Sequence, residues 1–212
     1  MARHAATDER RSSGRRGTLN EERWEEILRA AAEEFYENGY KAARLQDIGR
    51  RVGLLTGSLY YYIDSKEDLL FALVDTAHQK GLAITDEPGD SATGDAPTRL
   101  RAFIERSVAL HLETRADSVT VVERDRVFLS TEHRRQVDDM RRTIHRFVVG
   151  IIEQGIADGD FDPSIDPRIA ANTLFATLNA TRDWVRESQL PHLSEWYLRL
   201  FLKGMAADAA GR

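Results

Sequence analysis

Leu45-Gln46-Asp47-Ile48-Gly49-Arg50-Arg51-Val52-Gly53-Leu54-Leu55-Thr56-Gly57-Ser58-Leu59-Tyr60-Tyr61-Tyr62-Ile63-Asp64-Ser65-Lys66-Glu67-Asp68-Leu69 is the stretch on which the reading of this chain turns. Leu45, Ile48 and Val52 recur at helical spacing, and Gly53 breaks the pattern. A second short helix is expected over Thr56 to Tyr62. Ser65 and Asp68 then have the spacing of a capping box, so a longer helix starts there, with Leu69, Leu70, Leu73 and Val74 facing inward. Short helix, glycine turn and second short helix is the pattern of a helix-turn-helix, whose second helix enters the DNA major groove.

The outward positions of that second helix are small or planar: Thr56, Gly57, Ser58, Tyr60, Tyr61 and Tyr62. Small residues permit close approach to a duplex. Thr and Ser hydroxyls serve base edges and phosphates, and a Thr methyl packs on thymine. Tyr hydroxyls reach phosphates. Lys66 combines a cation with the free amides of a helix start, a combination that suits a phosphate. Leu59 and Ile63 belong to the core.

Upstream, Asn20 is a candidate cap for a helix whose inward face is Trp24, Ile27, Leu28, Ala31 and Phe35, stopped by Asn38-Gly39. Residues 1–19 are rich in Arg, Ser and Gly without periodicity, and read as a disordered tail with five arginines and two acids. Such an arm either samples a minor groove or is simply solvated. Downstream, residues 85–97 (TDEPGDSATGDAP) are the clearest loop. Five further helices are expected, at roughly 98–115, 118–129, 132–157, 167–188 and 193–208. No period-2 pattern or internal repeat is present, so the fold class is all-α. A helix-turn-helix domain over 20–79 is followed by a larger helical domain over 80–212. The last two helices, carrying Trp184, Trp196, Leu200 and Phe201, are apolar over much of their girth and ask for cover by a second subunit.

The 212-residue chain has no cysteine, which excludes disulfides and thiolate metal sites. No apolar run approaches the ~18 residues of a membrane span, and the N-terminus lacks a secretory signal, so a cytoplasmic protein is expected. The net charge of −5 is the wrong quantity for judging DNA binding, because the local distribution sets the field that a duplex meets. No nucleophile elbow, phosphate loop or paired-histidine motif points to an enzyme. His111, His133 and His145 form no tight ligand motif, and no metal or cofactor is expected.

The same residues resemble the TetR family of repressors. That family has Asp-Ile-Ala, then Gly-Val-Ser-x-Gly-x-Leu-Tyr-x-His-Phe, then Ser-Lys-Glu-x-Leu. Here stand Gly39-Tyr40, Asp47-Ile48-Gly49, Gly53, Gly57-Ser58-Leu59-Tyr60 and Ser65-Lys66-Glu67-Asp68-Leu69, a match over residues 20–79. Four departures are visible. Arg44 replaces a helix-capping Ser or Thr and adds a cation, Leu55 replaces the Ser that caps the second helix, and Tyr62-Ile63 replace His-Phe. The resemblance implies double-stranded DNA as partner, with Arg44, Gln46, Thr56, Gly57, Ser58, Tyr60, Tyr61, Tyr62 and Lys66 at the duplex. It also implies a homodimer through the last two helices and a small effector in the C-terminal domain.

The Glu123-Arg124-Asp125 segment, the Arg-rich helix and Arg182-Asp183-Trp184 resemble members that sense acyl-CoA thioesters. Phe103, Leu112, Val122, Phe128, Phe147, Phe175 and Trp184 are candidates to line an apolar site, with Arg141 at its mouth. The plainer reading makes the phenylalanines core and the arginines of 134–146 a solvated face.

Overall fold

The computed structural model describes residues 5–86, 94–113, 116–185 and 192–206, and all of its regular structure is helical. In chain order these are α1 (Ala5–Ala42), α2 (Leu45–Arg51), α3 (Thr56–Leu59), α4 (Lys66–Asp86), α5 (Ala96–Glu113) and α6 (Ala116–Asp125). A 3-10 turn (Arg126–Phe128) follows, then α7 (Thr131–Asp158), α8 (Pro167–Trp184) and α9 (Leu193–Leu198), which runs on as a π-helical turn (Arg199–Lys203). The five expected C-terminal helices are all present. Most of the expected 85–97 loop lies outside the described residues.

Two compact units divide the chain. The first comprises Met1–Val74 with Thr120–Ser130, and the second Asp75–Val119 with Thr131–Arg212. The boundary expected at 79/80 therefore falls inside α4, and a stretch expected in the C-terminal domain groups with the N-terminal one. The residues expected as a tail are also different: the backbone is helical from Ala5 onward. Once Asn20 to Phe35 has nucleated α1, each added residue gains a hydrogen bond without a new nucleus, and Ala5, Ala6, Glu9, Arg10 and Arg11 are good helix formers. Gly39, at φ 74° and ψ 150°, interrupts α1 where Asn38-Gly39 was expected to stop it.

In the first unit Ile27, Leu28, Ala31 and Phe35 of α1 are buried with Ile48, Leu59, Ile63, Leu69, Leu70 and Val74. The turn between α2 and α3 closes on Gly49, whose carbonyl accepts from Val52 N (3.2 Å) and Leu54 N (2.8 Å). Gly53 follows at φ 66°, a left-handed conformation that disfavours any residue with a Cβ. Arg23 donates from Nη2 to the Val52 carbonyl (2.6 Å), satisfying the C-terminal end of α2. Arg51 reaches back to α1, where it pairs with buried Glu34 (3.0 Å), with Glu33 (3.6 Å) and with Glu37.

The capping box of α4 is formed: Asp68 N donates to Ser65 Oγ (3.3 Å), and Asp68 Oδ2 accepts from Ser65 N (2.8 Å) and Asp64 N (2.9 Å). The Lys66 ammonium is not turned to solvent to await a phosphate. It donates to the carbonyls of Tyr40 (2.7 Å), Lys41 (3.2 Å) and Ala43 (2.9 Å), and lies 4.6 Å from the Tyr40 ring centroid. Its three N–H donors thus have three acceptors. Burial holds its pKa below the ordinary lysine value. In this structure the Lys66 cation closes the carbonyl end of α1.

Thr120–Ser130 is fastened to this unit by its own side chains. Val121, Val122, Asp125 and Leu129 are buried. Arg124 pairs with Asp125 (2.7 Å) and donates to the Phe35 carbonyl. Phe128 stacks on Tyr40 (5.4 Å between centroids, 16° between planes) beneath Lys41 Nζ at 5.0 Å. Ser130 N donates to Glu67 Oε1 (2.8 Å).

The second unit is a helical bundle around Leu100, Phe103, Ile104, Val148, Ile152 and Leu174. Asp166 caps α8 by accepting from Arg168 N (2.8 Å) and Ile169 N (3.0 Å), with Pro167 at the first helical position. Tyr197 of α9 shares a buried hydrogen bond with Thr181 of α8 (2.6 Å between the hydroxyl oxygens). Lys66→Met keeps the aliphatic stem and removes the three charged hydrogen bonds. It should cost about 2 kcal/mol of unfolding free energy in urea titration; an unchanged midpoint together with weaker DNA binding would return Lys66 to the phosphate role.

Candidate DNA interface

α3 is only four residues long, and its Leu59 is buried while the residues on its other side face outward. Gly57 and Ser58 are exposed and Thr56 is half-buried. Tyr60 and Tyr61 are exposed, by 54% and 81%. Tyr61 meets Tyr62 edge to face (5.1 Å, 84°), and Tyr62 stacks on Trp24 of α1 (6.4 Å, 14°). Tyr62 is therefore half-buried and works mainly as a buttress, holding the tyrosine shelf against α1. Arg44 is the exposed N-cap of α2, in extended conformation and without a side-chain cap bond. Gln46, the second residue of the same helix, is exposed.

Of the nine residues expected at a duplex, the unit thus presents Arg44, Gln46, Gly57, Ser58, Tyr60 and Tyr61 outward, and Thr56 in part. Tyr62 and Lys66 are engaged inward. One residue, read in the sequence only as a lost cap, stands out by its exposure. Leu55, the N-cap of α3, is 81% exposed. The available signal was a large aliphatic side chain at a position that favours a polar cap.

The electrostatics of this unit are local. Glu33, Glu34 and Glu37 gather around Arg51, which offsets one of their three negative charges. Hydrogen bonding to Glu37 is the main cause that raises the Arg51 pKa, so its cation persists at any ordinary pH. Arg50 is exposed, with its guanidinium 3.1 Å from Asp47.

The residues expected to line an effector site divide between the units. Phe103, Phe147 and Phe175 come together in the second, with Phe103 lying 6.0 Å from each of the other two. His145 stacks on Phe175 (5.9 Å), and its Nε2 lies 3.0 Å from Asn172 Oδ1. Val122 and Phe128 belong to the first unit, where Val122 is buried and Phe128 stacks on Tyr40. The side chains of Leu112 and Trp184 lie outside the described residues. Arg141 is half-buried on α7. Its neighbours Arg135 and Arg142 are exposed and pair with Glu132 (3.1 Å) and Asp139 on the same helix, in the manner of a solvated face. Among the described residues no three His, Asp or Glu side chains gather as a metal-ligand group.

Comparison with known proteins covers both units. The family described as "Bacterial regulatory proteins, tetR family" matches residues 27–73, and "Tetracyclin repressor-like, C-terminal domain" matches residues 93–205. The HTH-type transcriptional repressor KstR2 of Rhodococcus jostii is 28% identical over 86% of this chain and 90% of its own. Among solved structures, a bacterial regulatory protein in the tetR family from Rhodococcus RHA1 superposes with a TM-score of 0.78 at 28% identity, over 86% of this chain and 96% of that one. The regulator FadR from Bacillus subtilis, solved with stearoyl-CoA, superposes with a TM-score of 0.66 at 25% identity, over 86% and 99%. The chain belongs to the tetR family of bacterial regulatory proteins, DNA-binding regulators of transcription.

Proposed function

We propose that this protein is a dimeric repressor that binds a pseudo-palindromic operator and leaves it when a hydrophobic effector of the acyl-CoA class occupies its C-terminal unit. The observation that carries the DNA-reading half is the outward surface of α3 and its C-terminal end, where Gly57, Ser58, Tyr60 and Tyr61 are exposed while Leu59 anchors the helix inward. The effector half is supported by the likeness to FadR, whose structure holds stearoyl-CoA, and by the Phe103–Phe147–Phe175 cluster. No cofactor enters this reading, and the working compartment is the cytoplasm, where the duplex is.

Dimerisation through α8 and α9 is supported by Ile169, Trp196 and Leu200, which are 66%, 43% and 62% exposed on those helices and their continuation. Two-fold symmetry then sets two α3 helices on half-sites about one helical turn (~34–36 Å) apart. Effector binding works by favouring a dimer that fits those half-sites less well. Two stretches of chain join the units: α4 begins in the first and ends in the second, and the run from α6 into α7 leaves the second unit, passes through the first over Thr120–Ser130 and returns. Both are routes by which a change in the second unit alters the first.

The deciding experiment is selection from a random duplex pool by the full chain, then fluorescence anisotropy on the enriched duplex. Binding about 10³-fold tighter than to a scrambled duplex is expected, weakening steeply with salt. Stearoyl-CoA should release the duplex and palmitate alone should not; indifference to every acyl-CoA chain length would remove the effector class. Tyr61→Ala should weaken the enriched duplex about tenfold and leave the thermal midpoint in place, since the ring is so exposed. Leu200→Asp should convert a dimer to a monomer in sedimentation velocity and abolish tight operator binding; a wild-type monomer would contradict the assembly.

A further inference from the structure

Leu55 remains unexplained by the fold. It occupies the N-cap of α3, where leucine is among the poorest residues because it offers no acceptor to the first amides of the helix, and it makes no cap hydrogen bond. The apolar needs of this turn are met by others: Leu59 and Ile63 are buried, and Leu54 is half-buried. Leu55 leaves 81% of its surface exposed. A lone exposed leucine is ordinary on a protein surface, so position must decide. This one immediately precedes Thr56, Gly57 and Ser58, and a Cβ at Gly57 would meet open space among the described residues. The other end of the same short segment carries Tyr61, equally exposed. Between them the segment offers an aliphatic group at one end, small residues in the middle and an aromatic ring at the other.

In the major groove the apolar feature of a base edge is the C5-methyl group of thymine. We infer that Leu55 is a specificity-determining residue that reads a thymine methyl in each half-site, an inference that rests on the DNA-reading function proposed above. A polar cap at this position would stabilise the helix but leave that methyl without an apolar neighbour. Helix stability and operator affinity therefore make opposite demands on residue 55.

The test uses the full chain and the duplex it enriches from a random pool, resynthesised with deoxyuridine replacing thymine one position at a time. Deoxyuridine pairs as thymine does and lacks only the methyl. The wild type should lose about fourfold in affinity per half-site at one symmetry-related thymine, the effect of leaving one methyl group unburied. Leu55→Ala should bind the thymine duplex more weakly by at least that factor and be indifferent to deoxyuridine at the same position. Leu55→Ser should melt at a higher temperature than the wild type while binding the operator less tightly, a pairing that a merely structural role would not give. Equal sensitivity of wild type and Leu55→Ala to deoxyuridine at every position, or sensitivity of neither, would overturn the assignment while leaving sequence-specific binding intact. A wild type that enriches no sequence would overturn both.

Discussion

A four-residue helix cannot hold itself together in water, because one turn fixes several residues for hardly any internal hydrogen bonds. α3 exists because its neighbours hold it: α2 packs on it most closely, with Leu59 against Gly49, and α1 backs the pair. Leu59 and Ile63 are buried with Ile27, Ala31 and Phe35, Tyr62 stacks on Trp24, and Arg23 closes the end of α2. Lys66 fastens the start of α4 to the carbonyl end of α1 through three charged hydrogen bonds. Each contact is made on the inward side of the unit. The outward side of α3 is thereby free of structural duty, and residues of little packing value can stand there.

The same economy shapes the charge. A chain of net charge −5 must bring a surface to a polyanion without repulsion. Arg51 offsets one of the three negative charges that Glu33, Glu34 and Glu37 place on α1, and its closest tie by burial is to Glu34. Removing that arginine would leave a buried carboxylate without its cation, a far greater penalty than the loss of an exposed ion pair. The exposed pairs along α7, Arg135 with Glu132 and Arg142 with Asp139, are of the weaker kind and serve the solubility of a long helix. The Thr120–Ser130 stretch adds a second tie on α1, since Arg124 reaches the Phe35 carbonyl close to the Gly39 break.

Much of this was legible in the sequence. The spacing of Leu45, Ile48, Val52, Gly53, Leu59 and Ile63 gives a helix-turn-helix, and the Ser65–Asp68 capping box forms as its spacing predicts. The helix expected from roughly 167 begins at Pro167. What was not legible depended on direction in space. Lys66 is a cation at a helix start on paper; only the fold turns its ammonium back onto α1. Phe128 and Val122 have the same aliphatic or aromatic character as Phe147, and nothing local says that Tyr40 claims Phe128. The helical Ala5–Asn20 backbone carries no apolar periodicity, so pattern reading had nothing to detect. Leu55 shows the converse: its residue type was plain, but its exposure was not.

On the proposed reading the duplex meets the segment around α3, which α2 and α1 hold in place. Amide hydrogen exchange of the full chain, with and without its enriched duplex, is the sharpest test. Added protection should concentrate at 44–47 and 55–62, with α8 and α9 unchanged. Protection confined to the C-terminal unit, or none at 55–62 on a duplex that binds tightly, would contradict it.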